Sequence, residues 1–325
     1  MQELIYINSS QSSGLMCYLL LYLAGYKPLP LHTENGVRMS YKTILVHVDQ
    51  SRHVGKLIRV AASIAIAENA HLIGVAMTGI SRFAYKSGAA GMQDPGLAPH
   101  LQLLHGRANG ALAQFESIAR QMGVASLETR LVEDDASGAI SVQARYCDLV
   151  VLGQTDPQDP SPSVMPDFPE YVLMHCGRPL LVVPHSGSAT PLAAPEAPLT
   201  LATILVAWDA SMEATHAVTS AIALLKRAGH VDLVVFNPDP QSEAHGALPG
   251  ADIALYLARH GIQVEVRQQS TDADIGTALL ALAADLSSDL IVMGGYGHSR
   301  LREIVLGGTT RTVLEAMQVP VLMAH

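Results

Sequence analysis

The stretch Asp289-Leu-Ile-Val-Met-Gly294-Gly-Tyr-Gly297-His-Ser-Arg-Leu-Arg-Glu-Ile-Val-Leu-Gly307-Gly308-Thr309-Thr310 combines an apolar run with recurring glycines. The run is long enough for one buried strand, and the residues after the last glycines have the pattern of a helix. A glycine-rich turn between strand and helix brings backbone N–H groups close to an anion, and the helix N-terminus adds a positive dipole end. The stretch therefore predicts a phosphate-binding loop, although such glycines also suit tight turns and close packing of helix on sheet.

The apolar run of this stretch also occurs earlier in the chain, as part of an internal repeat. Three segments of the first copy have counterparts in the second: Thr43–Asp49 with Thr203–Asp209, Asp148–Gly153 with Asp289–Gly294, and Arg178–His185 with Val319–His325. The first pair is farther apart in sequence than the other two. The first copy is therefore longer, and we place its extra residues in the Gly/Pro-rich stretch Gly79–His100.

Short apolar strands alternate with helical patterns within each copy. In the second copy the predicted strands are Ile204–Trp208, Asp232–Phe236, Val264–Gln268, Leu290–Met293 and Val319–Met323, and the predicted helices are Ala214–Ala228, Ala251–His260, Asp274–Asp285 and Thr309–Gln318. Uninterrupted apolar strands indicate a sheet covered on both faces, and strand–helix alternation indicates a parallel one. We predict an α/β protein with two tandem doubly wound, Rossmann-like domains at residues 39–185 and 201–325, joined by a proline-rich linker at 186–200.

Residues 1–38 differ from the rest of the chain. Their apolar segment Leu15–Leu23 is shorter than the roughly 20 residues that a membrane span needs, and it lacks the flanks of a secretory signal. The ordered pattern begins just after Met39, so we interpret 1–38 as a mis-called or disordered extension. An uncleaved anchor is the alternative.

Composition excludes several classes of protein. The net charge is −9 and no Lys/Arg cluster occurs, which argues against nucleic-acid and anionic-membrane partners. The three cysteines form no disulfide framework, so a cytoplasmic location is expected. No His-x-x-x-His or Cys-x-x-Cys spacing occurs, so no metal centre is predicted.

The spacing Gly294-x-x-Gly297-x9-Gly307, together with the order of strands and helices, resembles the universal stress protein family over residues 39–325. In that family the last glycine precedes Ser or Thr, whereas here Gly308 follows and the hydroxyl comes one place later, at Thr309. The resemblance implies an adenine nucleotide alpha-hydrolase-like fold that binds ATP, with or without Mg²⁺. It also implies a stress-responsive sensor or regulator rather than a dedicated enzyme.

The resemblance further implies roles for residues at the ends of two strands of the second copy. Asp209 would approach the adenine or ribose, and Val235 or Phe236 would touch the base. The resulting candidate site consists of Ala207, Trp208, Asp209, Val235, Phe236, Gly294, Tyr296, Gly297, His298, Gly307, Gly308 and Thr309. Two alternatives stay open: Asp209 with Ser211 also suits a helix cap, and Trp208 also suits the core.

The equivalent loop of the first copy is different. Five prolines follow Gly153 within Gln154–Glu170 and remove amide donors, and four carboxylates in the same segment would repel phosphate: Asp156, Asp159, Asp167 and Glu170. The first copy is therefore predicted to be a partner domain that binds no nucleotide.

Two other functions stay open at this stage. One is an interaction module of the same fold without a ligand. The other is a slow ATP hydrolase or self-phosphorylating protein with Thr309 or Thr310 as acceptor, although no general base is evident near the loop.

The last strand of each copy, Leu180–Val183 and Val321–Met323, is apolar and would lie at a sheet edge. An uncovered apolar edge invites pairing. The family resemblance implies dimerisation through this strand, so we expect the two copies to pair here as an intramolecular pseudo-dimer. A homodimer of whole chains could form in addition.

Overall fold

The computed structural model describes residues 40–79, 97–159, 165–187, 201–238, 248–297 and 308–325. The predictions for residues 1–38, for most of the linker and for His298 and Gly307 lie outside these ranges. The strands of the described residues are β1 (Thr43–His47), β2 (His71–Met77), β3 (Leu127–Val132), β4 (Leu149–Gly153), β5 (Leu180–Val183), β6 (Leu201–Ala207), β7 (Ala228–Phe236), β8 (Glu265–Gln269), β9 (Leu290–Gly294) and β10 (Val321–Ala324).

The helices cover both faces of the sheet formed by these strands. They are α1 (Val54–Glu68), α2 (Leu97–Met122), α3 (Ala136–Gln143), α4 (Phe168–His175), α5 (Met212–Leu225), α6 (Ala251–Arg259), α7 (Ile275–Asp285) and α8 (Thr309–Ala316), with a short 3-10 helix at Ala144–Tyr146. In the part of the chain that is described, no helix combines the length and the apolar character needed to cross a membrane.

The ten strands form one sheet in the order β3-β2-β1-β4-β5-β10-β9-β6-β7-β8. Neighbouring strands within each copy are parallel. One copy therefore repeats the strand order of the other in reverse, as an approximate two-fold axis requires. The predicted doubly wound α/β architecture is confirmed.

The two copies meet at an antiparallel pair of strands, β5 and β10. Leu181 lies opposite Leu322, with Val182 opposite Val321 and Leu180 opposite Met323. All six side chains are fully buried. Each strand thereby covers the apolar edge of the other, and the predicted intramolecular pairing is confirmed.

Side-chain contacts reinforce this junction between the copies. Gln154 Nε2, just after β4, donates to the carbonyl oxygens of Leu314 and Glu315 in α8, at 2.8 and 3.1 Å. Tyr41 Oη donates to the carbonyl oxygen of Ser220 in α5, at 2.7 Å. The end of β4 in the first copy is thus bonded to the helix that follows the glycine loop of the second.

The extra length of the first copy lies mainly in a helix. α2 has 26 residues, whereas α6, its counterpart in the second copy, has 9. The sequence prediction placed the extra residues in the turn-rich stretch Gly79–His100, of which 80–96 lie outside the described residues. Leu97–Pro99 already belong to α2, because proline is tolerated in the first turn of a helix, where its missing N–H is not needed.

Candidate functional site

Three neighbouring parallel strands of the second copy end at one edge of the sheet. β6 lies between β7 and β9, and these strands end at Ala207, Phe236 and Gly294. In open parallel sheets, ligands bind at this carboxyl edge, where the strand order reverses. The predicted site residues within the described ranges therefore share one edge.

The end of β6 leads into a capped helix. Asp209 Oδ1 accepts hydrogen bonds from the backbone nitrogen of Ser211 (3.0 Å) and from its hydroxyl (2.6 Å). Ser211 Oγ in turn accepts from the backbone nitrogen of Ala214 and caps α5. Asp209 thus supports the cap, as one interpretation predicted, and it is also exposed at the edge where a ligand would lie.

The aromatic and apolar candidates at this edge contribute mainly to packing. Trp208 is half-buried and packs against the core on one face of the sheet, where Val235 is fully buried. Phe236 is half-buried and packs against the core on the other face. The core interpretation of Trp208 therefore describes its position, and Val235 offers a ligand its backbone rather than its side chain.

The glycines after β9 have different surroundings. A Cβ atom at Gly294 would lie 2.6 Å from the backbone nitrogen of Ala214, so this glycine is required for close packing of α5 on the strand. A Cβ atom at Gly297 would have Glu213 Oε2, at 3.6 Å, as its nearest neighbour among the described residues. The described residues would therefore tolerate a Cβ atom at Gly297 but not at Gly294, and the two glycines of the motif are not equivalent.

The start of α8 closes the loop from the other side. Thr310, which is buried, accepts a hydrogen bond at its Oγ1 from the backbone nitrogen of Tyr296, at 3.1 Å. Tyr296 has the left-handed backbone conformation of a tight turn, with φ +54°. Gly308 is the N-cap of α8 and offers no side-chain acceptor to the first-turn amides. Thr309, the candidate hydroxyl, is the first residue of the helix and is half-buried.

Glu213 is a residue of this region that the sequence analysis missed. It lies in the first turn of α5 and is 9% exposed, and its Oε2 has no hydrogen-bond partner among the described residues. An acidic residue in a first helical turn is ordinarily explained by the helix dipole. Only the fold shows that this carboxylate lies beneath Gly297.

A cavity of about 340 Å³ occupies the equivalent edge of the first copy. It lies at the ends of β1, β4 and β5, and its lining includes His47, Asp49, Asp156, Phe168 and His185. A hydrogen bond from the Arg52 guanidinium, 2.6 Å away, holds the pKa of the Asp156 carboxyl far below its usual range. Burial lowers the pKa of His47, which Asp49 partly offsets.

Comparisons with known proteins agree with this architecture. The model of the universal stress protein family matches residues 40–184 and 201–325. The universal stress protein Slr1230 of Synechocystis is 36% identical over 86 residues, which cover 26% of this chain and 28% of that protein. This chain thus matches less than a third of that relative's own length.

Two solved structures extend the comparison. A universal stress protein from Archaeoglobus fulgidus has a TM-score of 0.63 at 16% identity, covering 87% of this chain and 97% of that one. At this identity the likeness concerns the fold. A universal stress protein solved in complex with cAMP covers 45% of this chain and 99% of its own, at 23% identity and a TM-score of 0.33. Its cAMP is a property of that protein.

Proposed function

This chain belongs to the universal stress protein family, and we propose that its second copy binds an adenine nucleotide, ATP accompanied by Mg²⁺, as a ligand-responsive regulator. The observation that carries the proposal is the open backbone position at Gly297, next to the start of α8. Among the described residues, the nearest neighbour of a Cβ atom there would be Glu213 Oε2, at 3.6 Å, so these residues leave room for a ligand over this glycine.

The phosphates would be bound by backbone groups. The first amides of a helix have no partner within the helix, and an anion stabilises them together with the positive dipole end. Since Gly308 supplies no side-chain cap, a phosphate oxygen could take the place of the missing acceptor. The hydrogen bond from Tyr296 to Thr310 supports this proposal because it keeps the turn after β9 close to the start of α8.

Glu213 fits a cation that accompanies the phosphates. A buried carboxylate oxygen without a hydrogen-bond partner is costly, and a bare phosphate beside it would add repulsion. Mg²⁺ is bound through one or two carboxylates together with phosphate oxygens, which matches this donor. Glu213 would thus hold the ion, and the ion would neutralise the charge of the phosphates.

The sugar and base would lie over the end of β6. Asp209 presents an exposed carboxylate there, and a carboxylate is a suitable acceptor for ribose hydroxyl groups. Phe236 ends the neighbouring strand and is half-buried, so part of its ring remains available to an adenine face.

Titration calorimetry of the full chain with ATP, with and without Mg²⁺, tests the proposal. Gly297→Val is expected to lower the affinity at least about tenfold, because its side chain would occupy the space of the ligand. Gly106→Val is the matched control: it lies in α2, no described residue lies within 4 Å of its Cβ position, and it should leave the affinity unchanged.

Glu213→Gln tests the role of the cation. It is expected to weaken binding in the presence of Mg²⁺ and to leave binding of ATP without Mg²⁺ unchanged or improved, because it removes a negative charge beside the phosphates. A folded wild-type chain that gives no heat with ATP under either condition would favour a module of this fold that acts through protein contacts alone.

A further inference from the structure

The cavity of the first copy contains a cluster of metal-ligand side chains. His53, Asp156 and His185 each direct one ligand atom into a common region, and these atoms all lie within 4.8 Å of one another. We propose that these three side chains form a binding site for a divalent transition-metal ion, with Zn²⁺ as the best match. The site is separate from the nucleotide proposed for the second copy and does not depend on it.

The distances are close to those that a metal ion requires. Ligands around tetrahedral Zn²⁺, with bonds of about 2.0–2.2 Å, lie about 3.3 Å from one another. His53 Nε2 and Asp156 Oδ2 are 2.9 Å apart, so this pair is already at ligand spacing. The rings of His53 and His185 have their centroids 5.8 Å apart, and a modest rotation of His185 would complete the set.

Each of the three residues is held by the surrounding fold. His53 immediately precedes α1. Asp156 Oδ1 accepts from the backbone nitrogen of Gln158 at 2.9 Å, which leaves Oδ2 directed at His53. The backbone nitrogen of His185 donates to Gln154 Oε1 at 3.0 Å. The backbone of both histidines and the side chain of Asp156 are thus already positioned, which lowers the entropy cost of binding a metal.

The two hydrogen-bond contacts of His53 Nε2 require opposite protonation states of this nitrogen. Arg52 Nε donates to His53 Nε2 at 3.0 Å, while Asp156 Oδ2 lies 2.9 Å from the same nitrogen. A ring nitrogen carries either a proton or a lone pair, so it cannot accept from Arg52 and donate to Asp156 at once. A metal ion would resolve this conflict, because it accepts a lone pair from the nitrogen and another from the carboxylate.

Arg52 is the group that competes with the metal. Its Nη2 lies 2.6 Å from Asp156 Oδ2, but its side chain is 56% exposed. The guanidinium can therefore turn towards solvent, where Asp159 is a second carboxylate within reach, 3.8 Å from Nε. Displacing it would exchange the arginine for the metal ion at the buried Asp156 carboxylate, and the guanidinium would keep Asp159 as a partner.

The ligand set and the cavity indicate the class of ion. Two imidazoles and one carboxylate suit Zn²⁺ and other first-row transition ions, whereas Mg²⁺ and Ca²⁺ prefer all-oxygen sets. Three protein ligands leave a fourth position for water or a small ligand, as in catalytic zinc sites. Here that position would face the cavity, which His47 and Phe168 also line.

A second cluster provides an internal comparison. His230, Asp232 and Glu265 also lie within metal-ligand distance of one another. Arg267 binds both of its carboxylates, at 2.6 Å to Asp232 and 2.9 Å to Glu265, and is only 33% exposed. This arginine is less exposed than Arg52 and binds two carboxylates of its cluster rather than one, so a metal would displace it less readily, and we assign the metal to the first copy.

The test is calorimetric titration of the chelator-treated full chain with zinc chloride. We expect one ion per chain, and a loss of roughly a hundredfold or more in affinity in His185→Gln and Asp156→Asn, because each removes a direct ligand. His185→Gln leaves the pair of Arg52 and Asp156 intact. His230→Gln is the matched control and should bind as the wild type does.

Arg52→Gln is expected to raise the affinity for zinc, whereas the ligand variants lower it. Removing the competing guanidinium should strengthen zinc binding about two- to fivefold, a change that general loss of structure would not produce. Circular dichroism without metal checks that each variant is folded. The proposal is overturned if the folded wild-type chain binds no zinc, if binding survives in both ligand variants, or if it is lost in His230→Gln.

Discussion

At the carboxyl edge of the first copy His53 contacts Asp156, whereas at the same edge of the second copy Glu213 lies beneath Gly297. The positions correspond one to one. His53 and Glu213 each come four residues after the aspartate that follows the first strand of their copy, and Asp156 and Gly297 each come three residues after the last residue of β4 or β9. The same two positions therefore carry an imidazole with a carboxylate in one copy, and a carboxylate with an open glycine in the other.

This difference shows which features of the two candidate sites come from the shared fold and which come from the loops. Both edges have the parallel strands, the aspartate turn and the following helix. The first copy adds titratable side chains and prolines, and the second adds glycines. Imidazole and carboxylate side chains at the edge suit a small cation, whereas bare backbone suits a phosphate. We infer that duplication kept the frame and allowed the two edges to diverge towards different ligands.

The largest expected effect comes from breaking the junction that joins the two edges into one sheet. Leu181→Asp places a charge opposite Leu322, where both side chains are fully buried. We expect a loss of about 4 kcal/mol or more in the free energy of unfolding, measured by urea denaturation. Tyr146→Asp, at a side chain that is 76% exposed, should change it by less than about 0.5 kcal/mol. Similar losses in the free energy of unfolding for the two variants would contradict a stabilising role of the β5–β10 pairing.

The next largest effect distinguishes the equivalent strand-end glycines. Gly294→Ala puts a Cβ atom 2.6 Å from the backbone of α5, whereas in Gly153→Ala the nearest atom is a side-chain carbon of Leu57, 4.0 Å away. We expect the first change to cost about 1–3 kcal/mol in urea denaturation and the second to be nearly neutral. Equal costs would show that the close approach of helix and strand is not specific to the second copy.

Hydrophobic runs made most of the fold predictable. β9 was predicted as Leu290–Met293 and is observed as Leu290–Gly294. The prediction was less accurate where pairing continues through polar residues. β7 begins at Ala228, four residues before the predicted Asp232, because its backbone remains paired with β6 although Gly229 and His230 break the apolar run.

The candidate sites were less predictable than the strands. The aspartate at the end of β6 and the glycines near β9 are visible because they are local patterns with known backbone roles. The cluster of His53, Asp156 and His185 has no local signal, since more than a hundred residues separate its first two members. Only the order β1-β4-β5 brings these residues together. The sequence therefore predicted no metal centre, and the proposal of one rests on the fold.

A smaller effect concerns pH. Burial lowers the pKa of His47, and the corresponding residue of the second copy is Ala207. In the unfolded chain this histidine is protonated below about pH 6.5, whereas in the folded chain it stays neutral to a lower pH. The unfolded state therefore binds more protons as the pH falls below about 6.5. The stability contributed by neutral His47 is present above that pH and is lost below it. Urea denaturation at pH 7 and pH 5.5 should show His47→Gln losing less stability than the wild type, by up to about 1.4 kcal/mol per pH unit. Equal losses would contradict a neutral buried His47.

The smallest effect compares the two aspartates that follow the first strand of each copy. Asp49 and Asp209 each accept a hydrogen bond at 3.0 Å from the backbone nitrogen two residues later, at Ser51 and Ser211. Losing this bond on replacement with alanine should cost about 0.5–1.5 kcal/mol in urea denaturation, and Asp209→Ala also loses the bond from the Ser211 hydroxyl. The affinity for ATP should separate them: Asp209→Ala would weaken binding, because this carboxylate lies at the proposed nucleotide edge, and Asp49→Ala would not. If both variants lost affinity equally, the edge of the first copy would have to contribute to the nucleotide site; if neither did, the contribution of Asp209 would be limited to the turn that caps α5.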